Sequence, residues 1–167
     1  MTGFLFEFTF WLVAPVWLLM VFAPGWGPTA RIAASPLTVL PVLAVYLTMA
    51  LPVLPELWAA VSSPDIDRFR DLMMLANGAG AIWAQVIAWD LLIGQWMYRE
   101  ARRIGIHPLA MGPLLVLTIL LSPFGLLLFL LLRAANQRAR AKDRAPGLGS
   151  GTRPSGRAGR SPVVQEP

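Results

Sequence analysis

Long apolar runs, separated by short polar ones, divide the chain into four segments. Residues 4–23, 37–54, 72–97 and 109–132 each approach or exceed the roughly 20 helical residues that cross a hydrocarbon core. Prolines and glycines mark a turn at 24–28, and the most polar stretch between segments is 62–71. The pattern predicts an all-α integral membrane protein, with a four-helix transmembrane bundle over residues 1–133.

The third segment carries an acidic residue inside its apolar run. Asp90 lies about 10 Å of helix away from the polar end of that segment. A charge in hydrocarbon costs about 2.5–3.5 kcal/mol on insertion scales, so we expect Asp90 to face protein or water rather than lipid. Its candidate partners toward that end are Arg31, Arg99 and His107.

Two faces of the third segment differ in the residues they carry. One narrow stripe of the helical wheel is small and polar: Asn77, Ala81, Ala84, Ala88 and Gln95. A second stripe carries Trp83, Asp90, Gly94 and Met97. Small residues also recur at every fourth position, a pattern that lets membrane helices approach closely: Ala76, Gly80, Ala84 and Ala88. We expect another helix to pack on the small stripe while Asp90 faces a cavity or a different neighbour.

The fourth segment contains a proline near its centre. Pro123 removes a backbone hydrogen bond to Ile119, and the hydroxyls of Thr118 and Ser122 are close enough to compensate. This pattern predicts a single crossing with a kink at mid-membrane. The following tail, residues 134–167, begins as a basic helix. It then becomes a Gly-, Pro-, Ser- and Arg-rich stretch that we expect to be disordered.

The composition agrees with a membrane protein and excludes several chemistries. Of 167 residues, 56% are hydrophobic and 14% are charged, whereas soluble domains carry about 25% charged residues. The absence of cysteine excludes thiol chemistry and iron–sulfur ligation. A single histidine, His107, is too few for an iron site built from imidazoles, so we expect no metal and no cofactor.

The net charge of +5 comes mostly from the tail. Four crossings would place both termini on one side together with Arg68, Arg70 and the five bases of residues 133–144, against four arginines on the other side. The positive-inside rule then predicts cytoplasmic termini, and we expect a bacterial inner (cytoplasmic) membrane. The tail has no aromatic residues that could stack on bases, so we expect the basic residues to bind lipid headgroups rather than nucleic acid. The candidates are Arg99, Arg102, Arg103, Arg133, Arg138 and Arg140.

From Phe4 to Arg133 the chain resembles the family of the plant abscisic-acid-deficiency membrane protein that is required to make neoxanthin. The matching elements are Pro15-x-Trp17-x-Leu19-Met20-x-x-Ala23-Pro24, the region of Tyr46, Ala81-Ile82-Trp83, Asp90-Leu91 and Pro123-x-Gly125-Leu126-Leu127. The family pattern has a histidine five residues before the aspartate, where this chain has Gln85. The resemblance implies a four-helix membrane protein linked to xanthophyll metabolism.

Two classes of function follow from these residues. In the first, the protein binds or isomerises a carotenoid- or xanthophyll-type lipid, with Asp90 as a general acid and Trp83, Gln85, Trp17 and Trp89 around the substrate. Asp90 could instead form a structural ion pair, and the tryptophans could simply pack. In the second class, the protein is a non-catalytic scaffold or accessory subunit that docks another membrane protein on the small-residue ladder of 76–88.

Overall fold

The computed structural model describes residues 1–144, with side chains as far as Ala141. Within that range the chain is helical and contains no strand. The helices are α1 (Thr2–Phe22), α2 (Gly27–Ala34), α3 (Pro36–Ser62), α4 (Ile66–Met74), α5 (Ala76–Arg103), α6 (Pro108–Leu120) and α7 (Ser122–Arg144). The predicted basic helix is therefore the second half of α7. The predicted disorder beyond it lies outside the described residues.

Two helices, α1 and α3, are long and apolar enough to cross a membrane. Helices α4 and α5 would supply a third span if they are counted together, but their axes differ by 102°. The bend lies at Leu75, where an extended backbone (φ −78°, ψ 129°) separates the two helices. Helix α4 begins at a cap of its own, where Asp65 accepts a hydrogen bond from the Asp67 amide. The predicted four-span count is not reached by these helices.

Helix α5 is the centre of the fold, and its small stripe packs against α3. Gly80 lies against Met49, and Ala81 packs in a cluster that Met49 also lines. Near the other end, the side-chain amide of Gln95 donates a hydrogen bond to the Thr38 hydroxyl. The expectation that another helix packs on this stripe is confirmed. Within the chain, Met49 of α3 therefore covers Gly80 of the ladder, and docking of another protein on the ladder remains a prediction.

Helix α1 runs parallel to α5 on a neighbouring side. The Thr2 hydroxyl donates a hydrogen bond to the Asn77 side chain at the start of α5. Two-thirds of the way along, the buried Trp17 indole lies directly over Gly94, at a distance that leaves no room for a Cβ atom. Glycine is required at this position because the two helices approach each other through an indole ring.

The fourth predicted segment is not one helix; it folds back on itself. Helix α6 ends at Leu120, α7 begins at Ser122, and a Cβ on Gly125 would collide with Thr118. In one continuous helix these two positions would lie about 10 Å apart along the axis. The predicted single kinked span is therefore wrong, and residues 108–133 form a helical hairpin, called the hairpin below.

The returning arm of the hairpin ends where the outgoing arm began. The side chains of Asn136 and Arg140 on α7 both donate hydrogen bonds to the carbonyl of Ile104, just after α5. Thr2 lies at the opposite end of α5, about 40 Å away for a helix of 28 residues. Thr2 and Arg140 thus lie at opposite ends of α5, and the predicted side of the C-terminus lies outside the described residues.

Candidate functional site

A single stripe of α5 changes from open to covered along its length. Trp83, Val86, Asp90, Ile93, Met97 and Glu100 fall within about 100° of the helical wheel; we call them the Asp90 stripe. Val86 is 40% exposed, whereas Met97 is 0% and Glu100 8% exposed. The hairpin causes this difference, because it lies over the second half of the stripe only.

Asp90 lies where the hairpin ends. The side chain of Ser122, the first residue of α7, lies near the Asp90 carboxyl. Two turns further along α5, Thr118 of α6 contacts the Met97 sulfur at 3.6 Å. The tip of the hairpin therefore places a hydroxyl beside the acidic group, which remains partly accessible from the uncovered side.

None of the cations proposed as partners for Asp90 pairs with it. Arg99 donates to the backbone carbonyl of Gln95, and Arg31 is exposed on α2. The imidazole of His107 accepts a hydrogen bond from the Leu109 amide and caps α6. Among the described side chains, no ion pair includes Asp90. The carboxyl is thus bordered by a neutral hydroxyl, which leaves it available to a ligand.

Trp83 lies two turns before Asp90 on the same stripe. Its indole stacks on the Phe6 ring of α1, with centroids 5.1 Å apart and planes 23° from parallel. The indole N–H is buried and has no hydrogen-bond acceptor among the described residues. A buried donor without an acceptor is uncommon in folded proteins and marks a place where a bound group could supply one.

The other residues predicted to bind substrate are distributed around α5 and α1. Trp17 is 4% exposed and packs on Gly94, so helix packing explains its position. Trp89 is 57% exposed on the outer side of α5. Gln85 is half-buried on the side away from the Asp90 stripe. The structure therefore brings Trp83 and Asp90 to one face and leaves Trp17, Gln85 and Trp89 elsewhere.

The basic end of α5 holds the hairpin in place. Arg103 donates two hydrogen bonds to Glu100, at 2.7 and 2.8 Å, and Arg133 of α7 forms an ion pair with the same carboxyl at 2.9 Å. Glu100 lies beyond the apolar part of α5, which ends at Met97. The Arg103 hydrogen bonds, with help from both positive charges, hold the pKa of Glu100 below its usual range.

Several arginines predicted to bind headgroups make contacts within the protein. Arg102 donates to the Tyr98 hydroxyl and to the Pro24 carbonyl, both at 2.8 Å, and so joins α5 to the end of α1. Arg133 and Arg140 tie the hairpin to the end of α5, and Arg103 pairs with Glu100 of its own helix. Arg99 and Arg138 are exposed. Binding of lipid headgroups remains a prediction for this set.

Sequence reasoning missed three residues of this region. Ser122 was interpreted as compensation for a kink rather than as a neighbour of Asp90, and neither Phe6 nor Glu100 was singled out. The Ser122-Pro123 pair carried a usable signal, since serine followed by proline is typical of a helix start. Among the described residues, no three His, Asp or Glu side chains gather closely enough to hold a metal ion.

Fold and site together define an α-helical protein that has helices able to span a membrane. A carboxyl on its central helix lies beside the tip of an internal hairpin. The sequence profile of the ABA DEFICIENT 4-like family matches residues 4–129, and the chain belongs to this family. The match runs from the start of α1 to Phe129 in α7, so it includes Asp90 and the hairpin tip. No curated protein and no solved structure matches the chain significantly.

Proposed function

We propose that the protein binds a carotenoid- or xanthophyll-type lipid within a membrane and isomerises it, with Asp90 as the proton donor. The observation that carries this proposal is the position of the Asp90 carboxyl, beside the Ser122 hydroxyl and without a cationic partner among the described side chains. Family membership supports the substrate class, through the relation to the plant family of neoxanthin and abscisic acid metabolism.

The chemistry that suits this site is opening of an epoxide to an allenic alcohol. The neutral form of a carboxyl is favoured in apolar surroundings, and it can donate its proton to the epoxide oxygen as the carbon–oxygen bond breaks. A second proton leaves the neighbouring carbon of the polyene as the allene forms, and the Asp90 carboxylate produced by the first transfer accepts it. The proton gained and the proton lost balance, so the product is an isomer, and the reaction requires no oxidant. Ser122 would orient the carboxyl.

Pigment chromatography tests the proposal directly. The protein is expressed in a carotenoid-producing host that makes epoxidised xanthophylls, alongside Asp90→Asn and an exposed-carboxyl control, Asp71→Asn on α4. We expect a new isomer with the wild type and with Asp71→Asn, and none with Asp90→Asn. An unchanged pigment profile with the wild type, across several epoxidised substrates, would refute the isomerase proposal.

We also propose that the basic end of α5 faces the cytoplasm of a bacterium and that the protein lies in the inner membrane. Because the hairpin returns to that end, it gathers seven arginines there: Arg31, Arg99, Arg102, Arg103, Arg133, Arg138 and Arg140. The other end has Arg68 and Arg70. The positive-inside rule then favours a cytoplasmic basic end and an N-terminal end on the opposite side.

Single cysteines can test this orientation, because the native chain has none. Ser63→Cys lies between α3 and α4, and Ala139→Cys lies on α7 near the basic end. We expect a membrane-impermeant maleimide to label position 63 in intact spheroplasts and position 139 only after lysis. The reverse pattern would overturn the proposed orientation.

A further inference from the structure

We propose that the ligand reaches Asp90 sideways from the lipid, along the uncovered part of the Asp90 stripe on the N-terminal side of the hairpin tip. This inference rests on the proposed function and specifies its entry route and ligand class. The ligand is a long apolar molecule that ends in a hydroxyl or an epoxide oxygen. Its oxygen meets the Asp90 carboxyl, and its chain lies along Val86 toward Trp83.

The first argument is the change of exposure along one stripe. Beyond Asp90 the stripe is closed, because the hairpin buries Met97 completely and leaves Glu100 only 8% exposed. Before Asp90 it is open at Val86, which is 40% exposed. Asp90 therefore lies at the boundary, with one approach blocked by protein and the other facing outward.

The second argument is that the closed side is tied down at several levels. Gly125 and Thr118 bring the two arms of the hairpin into direct contact near the tip. At the basic end, Arg133 pairs with Glu100, and Arg140 is hydrogen-bonded to Ile104. A ligand arriving from the basic end would have to break these contacts, whereas a ligand arriving beside Val86 breaks none.

The third argument concerns what the open part offers. Val86 and the stacked rings of Phe6 and Trp83 form an apolar and aromatic wall, which suits a hydrocarbon chain or a polyene. The polar groups are few: the Asp90 carboxyl, the Ser122 hydroxyl and the buried N–H of Trp83, which has no acceptor among the described residues. An apolar molecule with a terminal oxygen can pair with the carboxyl while its hydrocarbon chain lies against the aromatic wall.

A pair of tryptophan substitutions tests the entry route. Val86→Trp fills the open part of the stripe. Leu92→Trp introduces the same side chain about 120° around the helix, at a residue of similar exposure, 38%. The proteins are reconstituted in lipid nanodiscs with a dihydroxylated C40 xanthophyll or with the unsubstituted carotene, and retained pigment is measured by absorbance.

We expect wild type and Leu92→Trp to retain the xanthophyll in preference to the carotene. Retention by Val86→Trp should fall about tenfold, which corresponds to about 1.4 kcal/mol. Equal retention by Val86→Trp and wild type, or an equal loss with Leu92→Trp, would overturn the proposed route. Retention of carotene and xanthophyll alike would overturn the proposed role of the terminal oxygen. Retention of neither pigment by wild type would instead contradict the proposed function.

A spectroscopic measurement tests the route even if no pigment binds. Nitroxide spin labels are placed on single cysteines at Val86, Leu92 and Met97, and their collision with dissolved oxygen, which partitions into lipid, is compared. We expect high collision rates at 86 and 92 and a low rate at 97. A rate at 86 as low as that at 97 would show that the stripe is closed and would overturn the inference.

Discussion

Helix α3 and the hairpin come from similar sequences but fold differently. Both are leucine-rich runs interrupted by prolines, and α3 carries more of them: Pro36, Pro41, Pro52 and Pro55. Helix α3 nevertheless continues for 27 residues, whereas residues 108–133 reverse at Leu121. The number of prolines therefore does not decide whether an apolar run crosses.

The residues around each proline, and the surface available for packing, explain the difference. The later prolines of α3 follow leucines, and the helix adjusts with a short 3₁₀ turn at Leu51–Val53 while it packs along the small stripe of α5. Pro123 follows Ser122 in the first turn of a new helix, and Gly125 allows that helix to lie directly on α6. Crossing or reversal thus depends on which neighbour offers close contact.

The largest effect should come from filling the contact between the two arms of the hairpin. Gly125→Leu places a side chain where Thr118 already lies, and we expect a loss of about 3 kcal/mol in the free energy of unfolding. Gly112→Leu is the matched control, because a Cβ there meets no atom within 4 Å. Denaturant unfolding in micelles measures both variants, and equal losses would contradict the hairpin.

The second effect should come from the carboxyl that holds the returning arm. Glu100→Gln removes the ion pair with Arg133 and weakens the hydrogen bonds from Arg103, so we expect the thermal midpoint to fall by a few degrees. Asp71→Asn, an exposed carboxyl on α4, should leave the midpoint unchanged. If both variants melt alike, Glu100 does not fasten the hairpin.

The same carboxyl should make the hairpin sensitive to acid. Because the pKa of Glu100 is lowered in the folded protein, its contribution to stability is present above the ordinary value of 4.5 and is lost as the pH falls through the lower, folded value. We expect the stability difference between wild type and Glu100→Gln to shrink as the pH falls below about 4.5. A difference that stays constant down to strongly acidic pH would exclude this linkage.

A smaller effect is expected at the interface of α5 with α3. Gln95 is 2% exposed and donates to Thr38, so Gln95→Leu should cost about 1 kcal/mol of unfolding free energy. Gln85→Leu on the same helix is the control, because no hydrogen bond of Gln85 is recorded among the described residues. Equal unfolding free energies for the two variants would argue against this contact.

The smallest effect should come from a proline of α3. Pro52 is exposed within a 3₁₀ turn, and the helix continues on both sides of it. We expect Pro52→Ala to change the free energy of unfolding by no more than about 0.5 kcal/mol. A much larger loss would show that α3 needs its bend in order to fit against α5.

The local features of this fold could be predicted from the sequence, and the reversal could not. Helical periodicity placed Ala81 and Gln95 on the stripe that packs against α3. The apolar run of 109–132 has the same hydropathy whether it forms one kinked span or two half-length helices, so hydropathy does not distinguish them. The contacts that distinguish them, such as that of Glu100 with Arg133, join residues far apart in the chain.

The candidate site was predicted only in part, because spacing along one helix does not show which residues of other helices lie beside it. Asp90 and Trp83 share a helix, so their common face follows from spacing alone. Ser122 and Phe6 come from other helices, and only the reversal at Leu121 brings Ser122 to the carboxyl. Trp17 satisfied the pattern of a ligand-binding aromatic residue but is used to pack on Gly94.

The return of α7 to the level of Ile104 also bears on how the chain is assembled in the cell. In the orientation proposed above, no part of residues 108–144 would have to be translocated to the far surface, because both arms of the hairpin would meet the same side of the membrane. In that case the two arms of the hairpin would insert together from the cytoplasmic side, after α5 has been integrated.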